Sequence, residues 1–212
     1  MKHLISTRIK FTDYELLKKY LEVSKKTFIP SILLQTNKNF TLGVIANEEH
    51  RDLISSTINE VCLGLNKERP SIIFFENKLT DYVRYVKKEN INIQTRHDCD
   101  DWMCNKYVDN IQKIYVDNIN KYNSFVIHVQ PYKYDFLKNE KYRMSLRYGD
   151  NQTSMFASLC QRHCNESLLG ANHKDIGKMG EKVFMLDEGS CHLVIHNDNK
   201  LSTIFKTDTL IK

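Results

Sequence analysis

Ile93-Gln94-Thr95-Arg96-His97-Asp98-Cys99-Asp100-Asp101-Trp102 decides how this chain is read. Apolar and polar residues alternate through Ile91, Ile93 and Thr95, as a strand requires. The alternation stops in three carboxylates within four positions, Asp98, Asp100 and Asp101. An amphipathic helix is expected from about Trp102, with Met103, Tyr107, Val108, Ile111 and Ile114 on one face. Carboxylates crowded on one turn repel each other, and a hard divalent cation held by oxygen ligands offsets that repulsion. Such a cation can in turn hold a diphosphate, and Asp-x-Asp at the carboxyl end of a strand falls where α/β sheets bind ligands. The stretch therefore reads as a nucleotide-sugar site.

Outward from this point the chain alternates strands and helices. Residues 4–9 are predicted as the opening strand. Thr12 and Glu15 fit a capping box for a helix carrying Leu17, Tyr20, Leu21 and Ser24. Pro30 suits the first turn of a short helix over 31–35. Strands over 41–46, 71–75 and 91–95 alternate with helices over 52–65 and 79–88, which argues for parallel pairing through right-handed crossovers. After Asn120 the rhythm changes. Strands are expected over 124–130, 132–136, 142–147 and 192–196, with a helical stretch between 154 and 169. The expected fold is α/β: a mainly parallel central sheet flanked by helices, with a mixed second half. One domain is expected over 1–212, with a nucleotide-binding half over 1–119 and an acceptor-binding, metal-closing half over 120–212. Nothing in 201–212 marks an end, so this reading also suits a piece of a longer chain.

Bulk properties narrow the class. With 41% hydrophobic and 27% charged residues, 212 residues supply an ordinary globular core. A net charge of +5 is carried by scattered lysines rather than a basic block, which argues against a dedicated nucleic-acid surface and suits an anionic small molecule. The start, Met1 to Arg8, is too polar for a signal peptide. The six cysteines are therefore expected as reduced thiols. No apolar run reaches the roughly 20 residues that span a bilayer. A soluble, cytoplasmic protein is expected.

An ordered series of motifs resembles a known family, the small GT-A glycosyltransferases described as rhamnosyltransferases. Thr7-Arg8 ends the first strand, and Phe28-Ile29-Pro30-Ser31, Gln35-Thr36 and Asn39-Phe40 precede the second. Thr95-Arg96-His97-Asp98-Cys99-Asp100-Asp101 resembles the family's Thr-Arg-x-Asp-x-Asp-Asp signature. Met155-Phe156-Ala157-Ser158-Leu159 and Asn172-His173 resemble a later helix and loop, and His196-Asn197-Asp198-Asn199 the closing His-x-x-Asn. The likeness spans roughly 4–199. It implies a GT-A fold and sugar transfer from a nucleoside-diphosphate sugar, uridine-linked, to a saccharide or glycoprotein acceptor. Rhamnose, glucose or a similar hexose would be the sugar. A compact viral domain that builds capsid glycans in the host cytoplasm is one member such a likeness would suit. Two positions depart from the pattern: Asn47 stands where many GT-A enzymes carry a base-gripping aspartate, and Gln161 where a glutamate is expected.

The expected site follows. Asp100, Asp98 and His196 are the metal ligands, for manganese or magnesium. Thr7, Arg8, Asn47, Arg96, Asp98 and Asp101 contact the nucleotide sugar, the arginines because a guanidinium fork matches phosphate oxygens. Asp101 either caps the helix expected at Trp102 or touches a sugar hydroxyl. His97 should point away from Asp98 and Asp100, since extended residues alternate. An inverting reaction needs a carboxylate base, for which Asp175, Glu166 and Asp187 are candidates, with Glu188 beside them; a retaining one does not.

Other readings compete. Cys160, His163 and Cys164 would share a helix face and could join Cys99 or Cys104 around zinc, giving a zinc-containing nucleic-acid-binding module. A glycosyltransferase acting on modified bases in DNA would carry the same motifs. A phosphatase using Asp-x-Asp as nucleophile is disfavoured, because the motif follows the fourth strand rather than the first.

Overall fold

A computed structural model describes residues 1–76, 79–129, 132–135, 138–143, 156–170, 175–186, 190–195 and 209–211. In chain order the elements are β1 (His3–Ile9), α1 (Tyr14–Ser24), α2 (Phe28–Leu33), β2 (Thr41–Ala46), α3 (Arg51–Gly64), β3 (Ile72–Glu76), α4 (Leu79–Lys88), β4 (Ile93–Arg96), β5 (Trp102–Met103) and α5 (Tyr107–Asn118). There follow β6 (Ser124–Val129), β7 (Tyr132–Asp135), β8 (Glu140–Arg143), β9 (Ala157–Gln161), β10 (Val183–Leu186), β11 (Cys191–Ile195) and β12 (Thr209–Ile211).

Seven strands form the main sheet in the order β10-β6-β9-β4-β1-β2-β3, and five form a second sheet, β12-β8-β7-β11-β5. In the main sheet β1 pairs parallel with both β2 and β4, β2 with β3, and β6 with β10. β9 runs antiparallel between β4 and β6. Helices cover both faces, so the central strands are buried throughout. Ile5 and Ile9 of β1 pack on one face with Leu17, Phe28, Ile54 and Ile111. Leu4 packs on the other with Tyr82, Val86 and Leu169. Strand order reverses between β1 and β4, and an α/β sheet opens a ligand crevice at such a reversal, outside the carboxyl ends of the strands.

Four local expectations are corrected. Asp13, not Thr12, caps α1: its carboxylate accepts the N–H groups of Glu15 and Leu16 at 2.9 and 3.1 Å. The helix 28–33 begins three residues before the expected start, with Pro30 inside its first turn. No helix starts at Trp102. Trp102 and Met103 instead pair antiparallel with His192 and Cys191, and the helix waits until Tyr107. The stretch expected as helical between 154 and 169 holds β9. Phe156, Ala157, Ser158, Leu159 and Cys160 are all fully buried, because this strand has neighbours on both edges and cover on both faces. A short, continuously buried run carries no period, so sequence alone does not separate strand from helix there.

That correction also removes the zinc reading. Cys160 belongs to the core on one face of the sheet, with Phe125 and Ile93, whereas Cys164 belongs to the core on the other, with Tyr82 and Leu169. Among the described residues no group of three His, Cys, Asp or Glu side chains is placed to hold a metal ion.

Candidate functional site

The crevice edge is built by the last residues of β1 and β4. Ser6 is in register with Arg96, so Arg8, two residues on, extends from the same face of the sheet. Nη2 of Arg8 donates to the carbonyl of Leu169 at 2.8 Å, in the turn 168–170. Arg96 is largely buried, and its Nε lies 4.0 Å from Asp98 Oδ1 without a hydrogen bond of its own. Burial lowers the pKa of Arg96, Asp98 raises it, and the charge of Arg8 lowers it again. Arg8 and Arg96 therefore share one face at the switch point of the sheet, near enough for the charge of one to act on the other. A phosphate there would relieve both burial and repulsion.

Past Arg96 the chain turns sharply. His97 N–H donates to the carbonyl of Ser6 at 3.0 Å, and Asp101 N–H to that of Asp98 at 3.3 Å. His97 is fully buried between Phe28 and Phe156, ring centroids 5.5 and 5.0 Å away, and its Nδ1–H donates to the Asp98 carbonyl at 3.0 Å. Desolvation pushes its pKa down to about 4. It holds the turn and faces away from the cleft, as alternation requires.

The three carboxylates differ in their surroundings. Asp98 is the most open, with its side chain 39% exposed, and Asp100 is 8% exposed. Asp101 is 1% exposed, and its Oδ1 accepts the N–H of Val194 at 2.8 Å, tying the acidic turn to β11. Its carboxyl is pushed well above the usual range by burial first, then by Asp100 and Asp98. It caps no helix. Asp100 and Asp98 both contribute to that shift, so the three carboxylates crowd one turn. The third expected ligand, His196, lies outside the described residues.

The remaining expected residues fall into three groups. Thr7 is 1% exposed, and its hydroxyl makes no hydrogen bond. Asn47, directly after β2 at the same edge of the sheet, donates from Nδ2 to the carbonyl of Phe11 at 3.2 Å and so anchors the turn after β1. Glu166 is exposed, and its carbonyl accepts from Gln94 Nε2 at 2.8 Å, two residues behind Arg96 on β4. Asp175 is half exposed, 3.2 Å from Lys178. It precedes the turn Ile176–Lys178, and Ile176 packs with Ala157, the register partner of Arg96. Asp187, Glu188 and His173 lie outside the described residues. Gln161 stands at the opposite end of β9 from Ala157, far from this edge.

One residue of the edge escaped the sequence reading. His128 is in register with Ala157, and Ala157 with Arg96, so the three form one row on one face of the sheet. Its ring is 1% exposed, makes no hydrogen bond through either nitrogen, and is pushed down to about 4 by burial. Nothing in Phe125-Val126-Ile127-His128-Val129 separates it from a core histidine.

The model of a family described as "Putative rhamnosyl transferase" matches residues 6–205. No curated protein sequence matches significantly. Among solved structures, S. aureus TarS residues 1–349 superposes with a TM-score of 0.52 at 11% identity, over 92% of this chain and 60% of that one. The same TarS segment in complex with UDP-GlcNAc gives 0.52 at 10% identity, over 97% of this chain and 62% of the other. The likeness shows a shared GT-A-like fold, and the present chain spans about three fifths of the TarS segment.

Proposed function

The chain belongs to the rhamnosyl transferase family, and we propose that it is a glycosyltransferase that moves a hexose from a uridine-diphosphate sugar to a saccharide acceptor with the aid of a divalent cation. The observation that carries this reading is that Arg8 and Arg96 share one face at the sheet's switch point, with Asp98 beside Arg96 and Asp100 on the same turn as Asp98. Two guanidinium groups on one face match a diphosphate, and the adjacent carboxylates match a cation that would accompany it. TarS, which shares the fold, has been solved with UDP-GlcNAc.

In this reading Asp98 and Asp100, with His196, would hold manganese or magnesium, which would supply positive charge against the leaving diphosphate. Arg8 and Arg96 orient the phosphates. Asn47, at the end of β2, offers an amide to the nucleobase. Asp101 acts from behind: its bond to Val194 fixes the turn that presents Asp98 and Asp100. For an inverting reaction Asp175 is the preferred base over Glu166. Asp175 borders the packing around Ala157, beside Arg96, whereas Glu166 is tied level with Gln94, behind the edge. Asp187 is the third candidate. Among the described residues no helix is long and apolar enough to cross a membrane. We propose a cytoplasmic setting.

A ligand that binds only the folded state raises its melting temperature. A thermal-shift panel of uridine, thymidine and guanosine diphosphates, with manganese or with a chelator, tests the donor. Uridine diphosphate should give the largest upward shift, and the chelator should diminish it. A panel without any shift would contradict the proposal.

A further inference from the structure

The second sheet carries a row of rings that no expectation included. β11 pairs with β5 on one side and β7 on the other, which aligns Trp102, His192 and Tyr132 in one row and places Tyr134 and Lys141 with Val194 in the next. Directly paired residues share a face. Their alternates Met103, Cys191 and Lys133 are buried on the opposite face. The rings are inclined to one another: Trp102 stacks on His192 at 4.6 Å and 30°, and His192 lies 6.4 Å from Tyr134 at 31°. The turn between α1 and α2, with Lys26, forms a facing wall and leaves a cleft of about 310 Å³.

Three features make this cleft a built site. It adjoins the acidic turn, since Trp102 follows Asp101 and Val194 is bound to the Asp101 carboxylate. Its Tyr134 ring is held at one end, the hydroxyl donating to Asn139 Oδ1 at the rim. Its polar groups, Lys26, Lys141 and Asn139, stand around the rings. An apolar floor with a hydrogen-bonding rim matches a sugar ring, whose C–H face is apolar and whose edge carries hydroxyls. The volume lies at the lower end of small-molecule sites and suits about one such ring. The arginines that match phosphate are at the switch point of the main sheet instead.

We propose that this cleft is the acceptor subsite and takes a pyranose ring seated against Trp102 and Tyr134. The inference rests on the glycosyltransferase reading and deepens it. A nucleobase is the other flat ligand that such rings accept, and the test separates the two.

Trp102 is the only tryptophan in the chain, and its emission reports on this cleft and on the acidic turn beside it, so the titrations are run with uridine diphosphate and manganese already present at fixed concentration. The whole protein would be titrated through the millimolar range with the methyl pyranosides of rhamnose, glucose and xylose, and separately with uridine. At least one pyranoside should change the emission saturably, and uridine should not. Tyr134→Ala should weaken that response roughly tenfold, the scale of one lost ring contact. Lys141→Ala, at an exposed position, should weaken it too and serves if Tyr134→Ala does not fold. No response to any pyranoside, or a response to uridine alone, overturns the subsite. Uridine diphosphate binding is measured on the same preparation by thermal shift. Nucleotide binding without a pyranoside response sinks the subsite and leaves the donor reading standing, and the converse sinks the donor reading alone.

Discussion

Asp100→Asn is expected to cut sugar transfer by roughly 100-fold or more, the scale of losing one group that stabilises charge in a transition state. Asp100 is 8% exposed and shares its turn with Asp98 and with Asp101, whose carboxyl it helps to push upward. The amide keeps the shape of the side chain, so no cavity opens. It removes the charge that a divalent ion needs and relieves repulsion within the turn. Activity should fall while the melting temperature of the metal-free protein holds or rises. The rate is best measured at limiting manganese, where a weakened ligand set shows most. A variant that turns over like the parent protein would take Asp100 out of the site.

Acid should unfold the protein steeply. Burial pushes His3 down to about 3, and His97, His128 and His192 down to about 4. His3 shows why. Gln112 Nε2 donates to its Nδ1 at 3.4 Å, and its Nε2–H donates to Thr95 Oγ1 at 2.8 Å, so a second proton on this ring would face a donor. A histidine whose folded pKa is depressed contributes its stability above the unfolded value of 6.5. That contribution is lost as pH falls toward the folded value, because the unfolded chain takes up protons that the folded one refuses. Each such group costs about 1.4 kcal/mol per pH unit within its window. Four together rival a net stability on the order of 10 kcal/mol within a few pH units. Urea midpoints taken from about pH 7 to pH 5 should fall sharply, and His3→Gln should flatten the slope. Midpoints independent of pH would show that these rings are not held neutral in the fold.

The first half of the fold was legible because each element carries its own local signal. β2 and α4 begin and end where pattern and flanking residues place them, and Arg8 and Arg96 stand at the carboxyl edge because their strands end there. What could not be read depends on distant pairing. β5 is two residues long and exists because His192, ninety positions later, pairs with Trp102. β9 has no period because both its faces and both its edges are covered. The aromatic floor gathers Trp102, Tyr134 and His192 from three separate segments, and no window along the chain contains them together. His128 joins Arg96 only through β9, so its place went unread with that strand.

The central claim is that the switch-point arginines hold a nucleoside diphosphate. Isothermal titration of uridine diphosphate with manganese, into the parent protein and into Arg96→Ala, tests it most directly. Arg96 is paired loosely with Asp98 at 4.0 Å, so its removal leaves no strong internal hydrogen bond unmade. Saturable binding by the parent protein is expected, with a loss of roughly tenfold or more in Arg96→Ala, the scale of a charge-assisted contact to phosphate. Equal affinity in the two proteins, or no binding to the parent, would contradict it.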